Sequence, residues 1–429
     1  MQGISARFPL WAFQLAIFFS LFGINPTGGI GGEGSVFRQF GWILLAGMSL
    51  FALLQHEEYR LGVAHFLRQR MAAVALLTLF GLYAMASSLW SEVPFITFKR
   101  ALLLLVVLLV CVVAVACARV RQLDLASLLI TPLLMLLVLS VLFSLAFPSI
   151  AFSDIGWQGI TGQKNTMGQL AAMLILALML SRRALVWPVS IRWGLVLMAL
   201  AALALSRSGT AMVGLAGAGA AIGFVLLAHQ VRRQPTWVVP IFLVLAGLSG
   251  LLFSAFLFDV LPTPAEIKSY FFVLLGKSET LTGRTALWDL VLSQSRFRSE
   301  WIGGGYGGFW DVSYDRLAYI ASRLGFLPIQ AHNGYLEVFN DLGYLGLVMA
   351  VGILAFYALH VIRHLFAMPG LVAFHVALCV YVIEVNFSES ALFRTTQFLN
   401  LLFVASFLLV SGKLSALHAK SEAQDGDRL

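Results

Sequence analysis

The chain reads as an all-α polytopic membrane protein of about 12 transmembrane helices, with one long periplasmic loop that contains an amphipathic helix. Three observations predict this. Hydrophobic residues make up 60% and charged residues 11% of the 429, where a soluble domain carries roughly 25% charged residues. Mean hydropathy is +0.90. The apolar residues gather in runs of about 20, the length that crosses a bilayer as a helix, and most runs are joined by short polar links.

The runs start near Phe8, Val36, Met71, Phe95, Leu125, Thr166, Arg192, Thr210, Trp237, Tyr335, Gly370 and Thr396. They divide the chain into helices 1 to 9 over 1–258, a loop domain over 259–331, helices 10 to 12 over 332–412 and a tail over 413–429. The first run ends in Asn25-Pro26-Thr27-Gly28 without a small-x-small cleavage site, so it reads as an uncleaved span. Outside the long loop, most Lys and Arg flank the runs on one side: Arg7, Arg60, Arg68, Arg70, Arg119, Arg121, Arg182, Arg183, Arg192, Arg232, Arg233, Arg363, Lys413, Lys420 and Arg428. Short basic links are retained in the cytoplasm, which places both termini there and the loop outside. Within the loop, Leu287, Trp288, Leu290 and Val291 form a stripe at helical spacing from Arg284 to Phe297, suited to lying on the membrane surface. Gly303 to Gly308 read as a flexible turn after it. Gly219 and Gly223 form a GxxxG pair, which predicts close helix packing.

Several function classes drop out. The net charge of +8 is explained by basic residues flanking spans, so no nucleic-acid partner is implied. Cys111, Cys117 and Cys379 lie inside apolar runs and form no disulfide framework or zinc spacing. Gly303, Gly305 and Gly308 match GxGxxG but lack a βαβ unit, and Gly276-Lys277-Ser278 lacks the upstream glycine of a phosphate loop, since position 271 is Phe271. Asn386-Phe387-Ser388 is a nominal glycosylation sequon that carries no weight. No histidine partners His332 at metal-ligand spacing.

What remains is a coincidence of sidedness. Lys164, Arg207, Arg284 and His332 fall on the outer side of the same bilayer. Taken singly, Lys164 reads as an interfacial anchor, Arg207 as a snorkelling side chain, Arg284 as a solvated loop cation and His332 as a neighbour of a helix cap. Taken together they suit a lipid pyrophosphate, because arginine grips phosphate through a planar fork and fixed cations stabilise a departing pyrophosphate. Histidine titrates near neutrality and serves as a general base. Glu337 and Asp341 share one helix face; they read first as a structural ion pair, and alternatively as groups that orient His332 or Arg284 or bind an acceptor sugar. Trp157, Tyr306, Phe309, Trp310, Tyr314 and Tyr319 read mainly as interface anchors and loop core.

Five motifs in order resemble the O-antigen ligase/polymerase superfamily of bacterial membrane glycosyltransferases. They are Trp157-Gln158-Gly159 with Gly162-Gln163-Lys164-Asn165-Thr166-Met167-Gly168; Ser206-Arg207-Ser208-Gly209-Thr210-Ala211; Leu281-Thr282-Gly283-Arg284-Thr285 with Trp288; Gly303 to Trp310; and Ala331-His332-Asn333-Gly334-Tyr335-Leu336 with Leu342-Gly343-Tyr344-Leu345-Gly346-Leu347. The third and fourth look most like exopolysaccharide polymerases of the ExoQ type. The resemblance implies a GT-C-like transfer, without metal or other cofactor, of a glycan from an undecaprenyl pyrophosphate carrier to an acceptor hydroxyl at the periplasmic face of the inner membrane. It makes His332 the catalytic base, Arg207 and Arg284 the pyrophosphate clamp, and Lys164 their assistant, with Gln163, Asn165 and Asn333 as further substrate contacts. Many relatives carry His where this chain has Gln163, a residue able to hydrogen-bond. The first expectation is a Wzy-type polymerase acting on lipid-linked repeats, with a chain-length regulator as possible partner. The second is an O-antigen ligase acting on lipid A-core, and the third a flippase-like transporter.

Overall fold

A computed structural model describes residues 4–23, 36–230, 246–247, 249–250, 282–295, 299–311, 314–325, 327–365 and 369–412. The expected span near Trp237, most of the first part of the loop and the tail over 413–429 lie outside the described residues.

The chain is a bundle of helices: α1 (Phe8–Leu21), α2 (Val36–Gln55), α3 (Glu57–Gln69), α4 (Met71–Ala86), α5 (Pro94–Val120), α6 (Leu125–Ala146), α7 (Lys164–Leu180), α8 (Val189–Ser206), α9 (Gly209–Gln230), α10 (Thr282–Ser295), α11 (Tyr314–Leu324), α12 (Gly334–Leu365), α13 (Pro369–Val385) and α14 (Phe398–Val410). Local chemistry sets the ends. Pro94 occupies the first turn of α5, where a missing N–H costs nothing. Asp124 caps α6 by accepting from Ser127 N at 2.6 Å. A two-strand hairpin, Phe152–Ser153 against Gly156–Trp157, joins α6 to α7. The centre of the bundle holds α14 and most of α7, both buried around nearly their whole circumference. The outward faces of α4, α8 and α12 expose Leu79, Leu197 and Val348, as helices facing lipid do.

Among the described residues six helices are long and apolar enough to cross a membrane, or seven if α2 and α3, bent by 109°, count as one span; α1, α7, α13 and α14 are shorter apolar helices. The all-α polytopic architecture is therefore present, and the described residues do not confirm a count of about twelve. The shortness has a physical cause. At 1.5 Å per residue, the 13 residues of α14 cover about 20 Å of a hydrocarbon layer roughly 30 Å thick. The helix is preceded by the 386–397 link, whose backbone is not α-helical and whose residues are buried or half-buried. Such backbone is tolerated at membrane depth only when surrounded by protein.

Glu57–Gln69 forms the amphipathic α3, anchored by buried Tyr59 and Phe66. The structure departs from the sequence reading in the loop. The apolar stripe of α10 does not lie on a lipid surface: Leu287, Trp288 and Val291 form a separate core with Phe309, Ile320 and Ala331. Among the described residues nothing lies within 4 Å of a Cβ at Gly219 or Gly223, and α9 packs closely on α13 at Gly214, against Tyr381, and at Gly217, against Glu384. The glycine run after α10 is not a flexible turn. Gly304 N and Gly305 N donate to the carbonyls of Asn340 and Asp341 at 3.1 and 2.8 Å, while Tyr344 N and Leu345 N donate to those of Glu300 and Trp301 at 2.8 and 3.1 Å.

That docking requires a break in α12. At Gly343 φ is 66° and ψ is −166°, a conformation essentially reserved for glycine. A Cβ there would lie 2.4 Å from the carbonyl carbon of Trp301. The break frees backbone groups that the 300–305 segment then satisfies, as buried backbone requires. Gly343→Ala should destabilise the fold by about 3 kcal/mol or more through strain and overlap, whereas Gly352→Ala, on the same helix with open space around it, should be neutral or slightly stabilising. Detergent-solubilised thermal unfolding checks both; equal melting temperatures for the two variants would contradict the docked break.

Candidate functional site

Two of the expected site residues sit in left-handed backbone. Arg207 (φ 49°) ends α8, and His332 (φ 52°) stands just before α12. Non-glycine residues pay roughly 1–2 kcal/mol for that region. With only Arg207 and Ser208 between α8 and α9, the chain must reverse within two residues, and Ser208 Oγ then accepts from Ala211 N at 3.3 Å to start α9. At α12, Asn333 Oδ1 accepts from Tyr335 N and Leu336 N at 3.1 and 3.0 Å, so its side-chain carbonyl is spent on the helix cap. This places the His332 ring on a stiff corner rather than a mobile loop.

The 386–397 link is where the separate motifs meet. Asn386 folds the link by accepting from Ala391 N and Leu392 N at 3.0 and 2.7 Å, and its carbonyl accepts from Gly334 N at 2.8 Å. Ser388 Oγ donates to Thr210 Oγ1 at 3.1 Å, and Ser390 Oγ accepts from Asn333 N at 3.1 Å. Tyr306 of the glycine run donates its hydroxyl proton to the Phe393 carbonyl.

Glu389 lies at the centre. Its Oε1 accepts from Asn165 Nδ2 at 2.6 Å and from Arg284 Nη2 at 3.1 Å. Its Oε2 is 3.3 Å from His332 Nδ1. Asn165 Oδ1 in turn accepts from Ser208 Oγ at 3.1 Å, tying the start of α7 to the Arg207 corner. Lys164 donates to the Ile155 carbonyl at 3.2 Å, and its ammonium feels the charges of Arg284, Arg207 and Glu389. Asn165, Arg284 and His332 thus meet at one carboxylate, and Lys164 lies within electrostatic reach of it and of Arg207. Gln163 is exposed beside Lys164 without capping its helix.

The electrostatics assign roles within this cluster. Gln330 Nε2 is also 3.3 Å from His332 Nδ1; a proton on Nδ1 would find in the Glu389 carboxylate the stronger partner, with Nε2 on the other side of the ring, in a side chain 33% exposed. The Arg284 guanidinium is partly sheltered, and among the described residues nothing accepts from its buried Nη1. A sheltered donor without an acceptor favours binding of an anion.

Glu337 and Asp341 do the structural work first expected of them. Glu337 accepts from Ala331 N at 2.6 Å and from Trp310 Nε1 at 2.9 Å, and lies 3.6 Å from Arg394 Nη1. Asp341 Oδ2 accepts from Gly307 N at 2.8 Å. The orienting role falls to Glu389, which sequence reasoning missed together with Arg394 and Ser390. The available signal was a polar, ionisable run, Asn386-Phe387-Ser388-Glu389-Ser390, between two apolar runs; ionisable residues at such positions mark function. Trp157, Tyr306 and Phe309 are buried packing residues. Among the described residues no group of three or more His, Cys, Asp or Glu is arranged to hold a metal ion.

Comparison with known proteins agrees with this region. A family model described as O-antigen ligase (Wzy_C) matches residues 193–351, which takes in Arg207, Arg284 and His332. The exopolysaccharide production protein ExoQ of Rhizobium meliloti (strain 1021) is 33% identical over 85 residues, covering 18% of this chain and 19% of that relative. The match therefore spans about a fifth of the relative's length. Both findings support an O-antigen ligase/polymerase family.

A double-mutant cycle checks the hub. Glu389→Ala and Arg284→Ala should each destabilise the protein, and the double variant should lose less than the sum, with a coupling of roughly 1–3 kcal/mol. Denaturation of the solubilised protein by SDS measures it; strict additivity would remove the pairing from the account.

Proposed function

With the O-antigen ligase/polymerase family as premise, we propose that the chain is a membrane glycosyltransferase that polymerises lipid-linked glycans at the periplasmic face of the bacterial inner membrane. The donor is a glycan on undecaprenyl pyrophosphate, and the acceptor is a sugar hydroxyl of a second lipid-linked repeat. Arg284 and Arg207 hold the pyrophosphate, with Lys164 adding charge. His332 Nε2 takes the proton of the acceptor hydroxyl as its oxygen attacks the anomeric carbon. The bond from that carbon to the pyrophosphate oxygen breaks with inversion, and the electron pair leaves on undecaprenyl pyrophosphate. Glu389 holds the imidazole in the required tautomer and carries the compensating charge as the ring becomes cationic.

The single observation that carries this reading is the shared carboxylate: Glu389 joins His332 and Arg284 at 3.3 and 3.1 Å. A base and an anion clamp fixed to one group are what an attack opposite a departing phosphate demands. The similarity to an exopolysaccharide production protein favours polymerisation. The family description as O-antigen ligase supports the second reading, transfer of the chain to lipid A-core.

Purified protein supplied with lipid-linked repeat tests the proposal. A polymerase yields a ladder of lengthened chains without core acceptor; a requirement for lipid A-core turns the assignment to ligase. His332→Ala should lower turnover by about 10²–10⁴ while the protein stays folded in the membrane, and unchanged product would refute the base. Arg284→Lys keeps the charge but loses the fork, and should cost about tenfold or more in turnover; near-normal yield would refute the clamp.

A further inference from the structure

A cavity of about 440 Å³ opens between α10 and the outer half of α12, within the size range of small-molecule sites. Three aromatic rings line it, those of Tyr335, Phe339 and Tyr344, together with Ser295, Glu300, Asn333 and three leucines. The wall is rigid. Tyr335 donates to the Ile383 carbonyl at 3.1 Å and its ring packs 4.9 Å from that of Phe387. The rings of Phe339 and Tyr344 lie 4.9 Å apart, and Tyr344 meets Trp301 edge-on at 5.7 Å. Residues five apart in a regular helix point about 140° away from each other. The Gly343 break is what brings Tyr344 round to Phe339.

The cavity is distinct in charge from the cation cluster. Among the described residues that line it there is no Lys, Arg or His, and the acidic one is Glu300, which is exposed. A pyrophosphate would be repelled there. A hydrocarbon tail would leave the carboxylate beside it poorly solvated. Sugar rings suit both halves of the lining, since their C–H faces pack on aromatic rings and their hydroxyls donate to carboxylate and serine oxygens. Asn333, which lines the cavity, directly follows His332 in the chain.

We infer that this cavity is the acceptor subsite, where a sugar of the acceptor glycan stacks on Tyr344 and Phe339 and hydrogen-bonds Glu300. The inference rests on the glycosyl-transfer reading for its purpose, and on the charge and shape of the lining for its ligand. It divides the site into a cationic donor side and an aromatic, acidic acceptor side, with His332 between them.

The test uses full-length protein in nanodiscs and two probes: the repeat-unit oligosaccharide freed from its lipid by mild acid, and farnesyl pyrophosphate as a stand-in for the donor head. Tyr344→Ala and Glu300→Ala should each weaken oligosaccharide binding roughly tenfold, with farnesyl pyrophosphate binding unchanged, and Tyr344→Phe should restore most of it. In turnover, acceptor KM should rise with kcat largely kept. Unchanged oligosaccharide affinity in both variants, no binding by the parent protein, or a loss confined to farnesyl pyrophosphate would each overturn the subsite. Arg284→Gln reports on the other reading: if it leaves farnesyl pyrophosphate binding intact while the cavity variants still lose oligosaccharide, the pyrophosphate clamp fails and the sugar subsite stands.

Discussion

Glu389 is 7% exposed in a bundle built mostly of leucine, alanine, valine and phenylalanine, and a carboxylate so placed persists only with partners that repay its lost hydration. Arg284, Asn165 and His332 are those partners, and they come from the loop helix, the start of α7 and the corner before α12. Satisfying one buried charge therefore fixes three distant parts of the sequence at a common point. The same need explains why the 386–397 link is folded on its own hydrogen bonds. A helix through that position would occupy its backbone groups internally and could not offer the Asn386 carbonyl to Gly334.

A second network, joined to the first through Gln330 between Arg394 and His332, holds the loop to the bundle. Glu337 binds Ala331, Trp310 and Arg394, Asp341 binds Gly307, and the glycine run threads through the break at Gly343. This network makes no contact with the imidazole through its carboxylates. It instead sets the height of the loop, and with it the position from which Arg284 reaches Glu389. The two acidic groups nearest His332 in sequence thus act on the scaffold, while the acid that acts on the ring is 57 residues away.

The sequence reveals much of the span layout and some of the site. Hydropathy locates the starts of α1, α2, α4 to α9 and α12 to α14 to within a few residues, because a membrane leaves no freedom over where a long apolar run must go. Sidedness alone brings Lys164, Arg207, Arg284 and His332 to one end, since alternating spans allow no other arrangement. What hydropathy cannot register is a departure from helical backbone inside an apolar run. The short outer end of α14, the link that replaces it and the break in α12 are all of this kind. Gly343 gives no warning by composition, and the choice of Gly214 and Gly217 over Gly219 and Gly223 for helix contact depends on which face of α9 meets α13. Glu389 was overlooked for the same reason: it lies in what reads as the flank of a span.

Four of the groups assigned to chemistry stand on backbone that an uninterrupted helix could not supply, while Arg284 and Lys164 stand in the first turns of α10 and α7. Arg207 and His332 occupy left-handed positions, Glu389 lies in the buried link, and Tyr344 follows the helix break. Long helices alone would space such residues by whole turns along parallel axes, with side chains directed at neighbours or lipid. The break in α12, the non-helical 386–397 link and the two left-handed corners bring polar side chains together among buried residues. There charges interact across a medium less polarisable than water, so a guanidinium and an imidazole tied to one carboxylate influence an entering anion more than they would at an open surface. The cost is backbone strain and buried polarity. The dense cross-links among Asn386, Asn333, Gly334 and the 300–305 segment are what hold that strain in place.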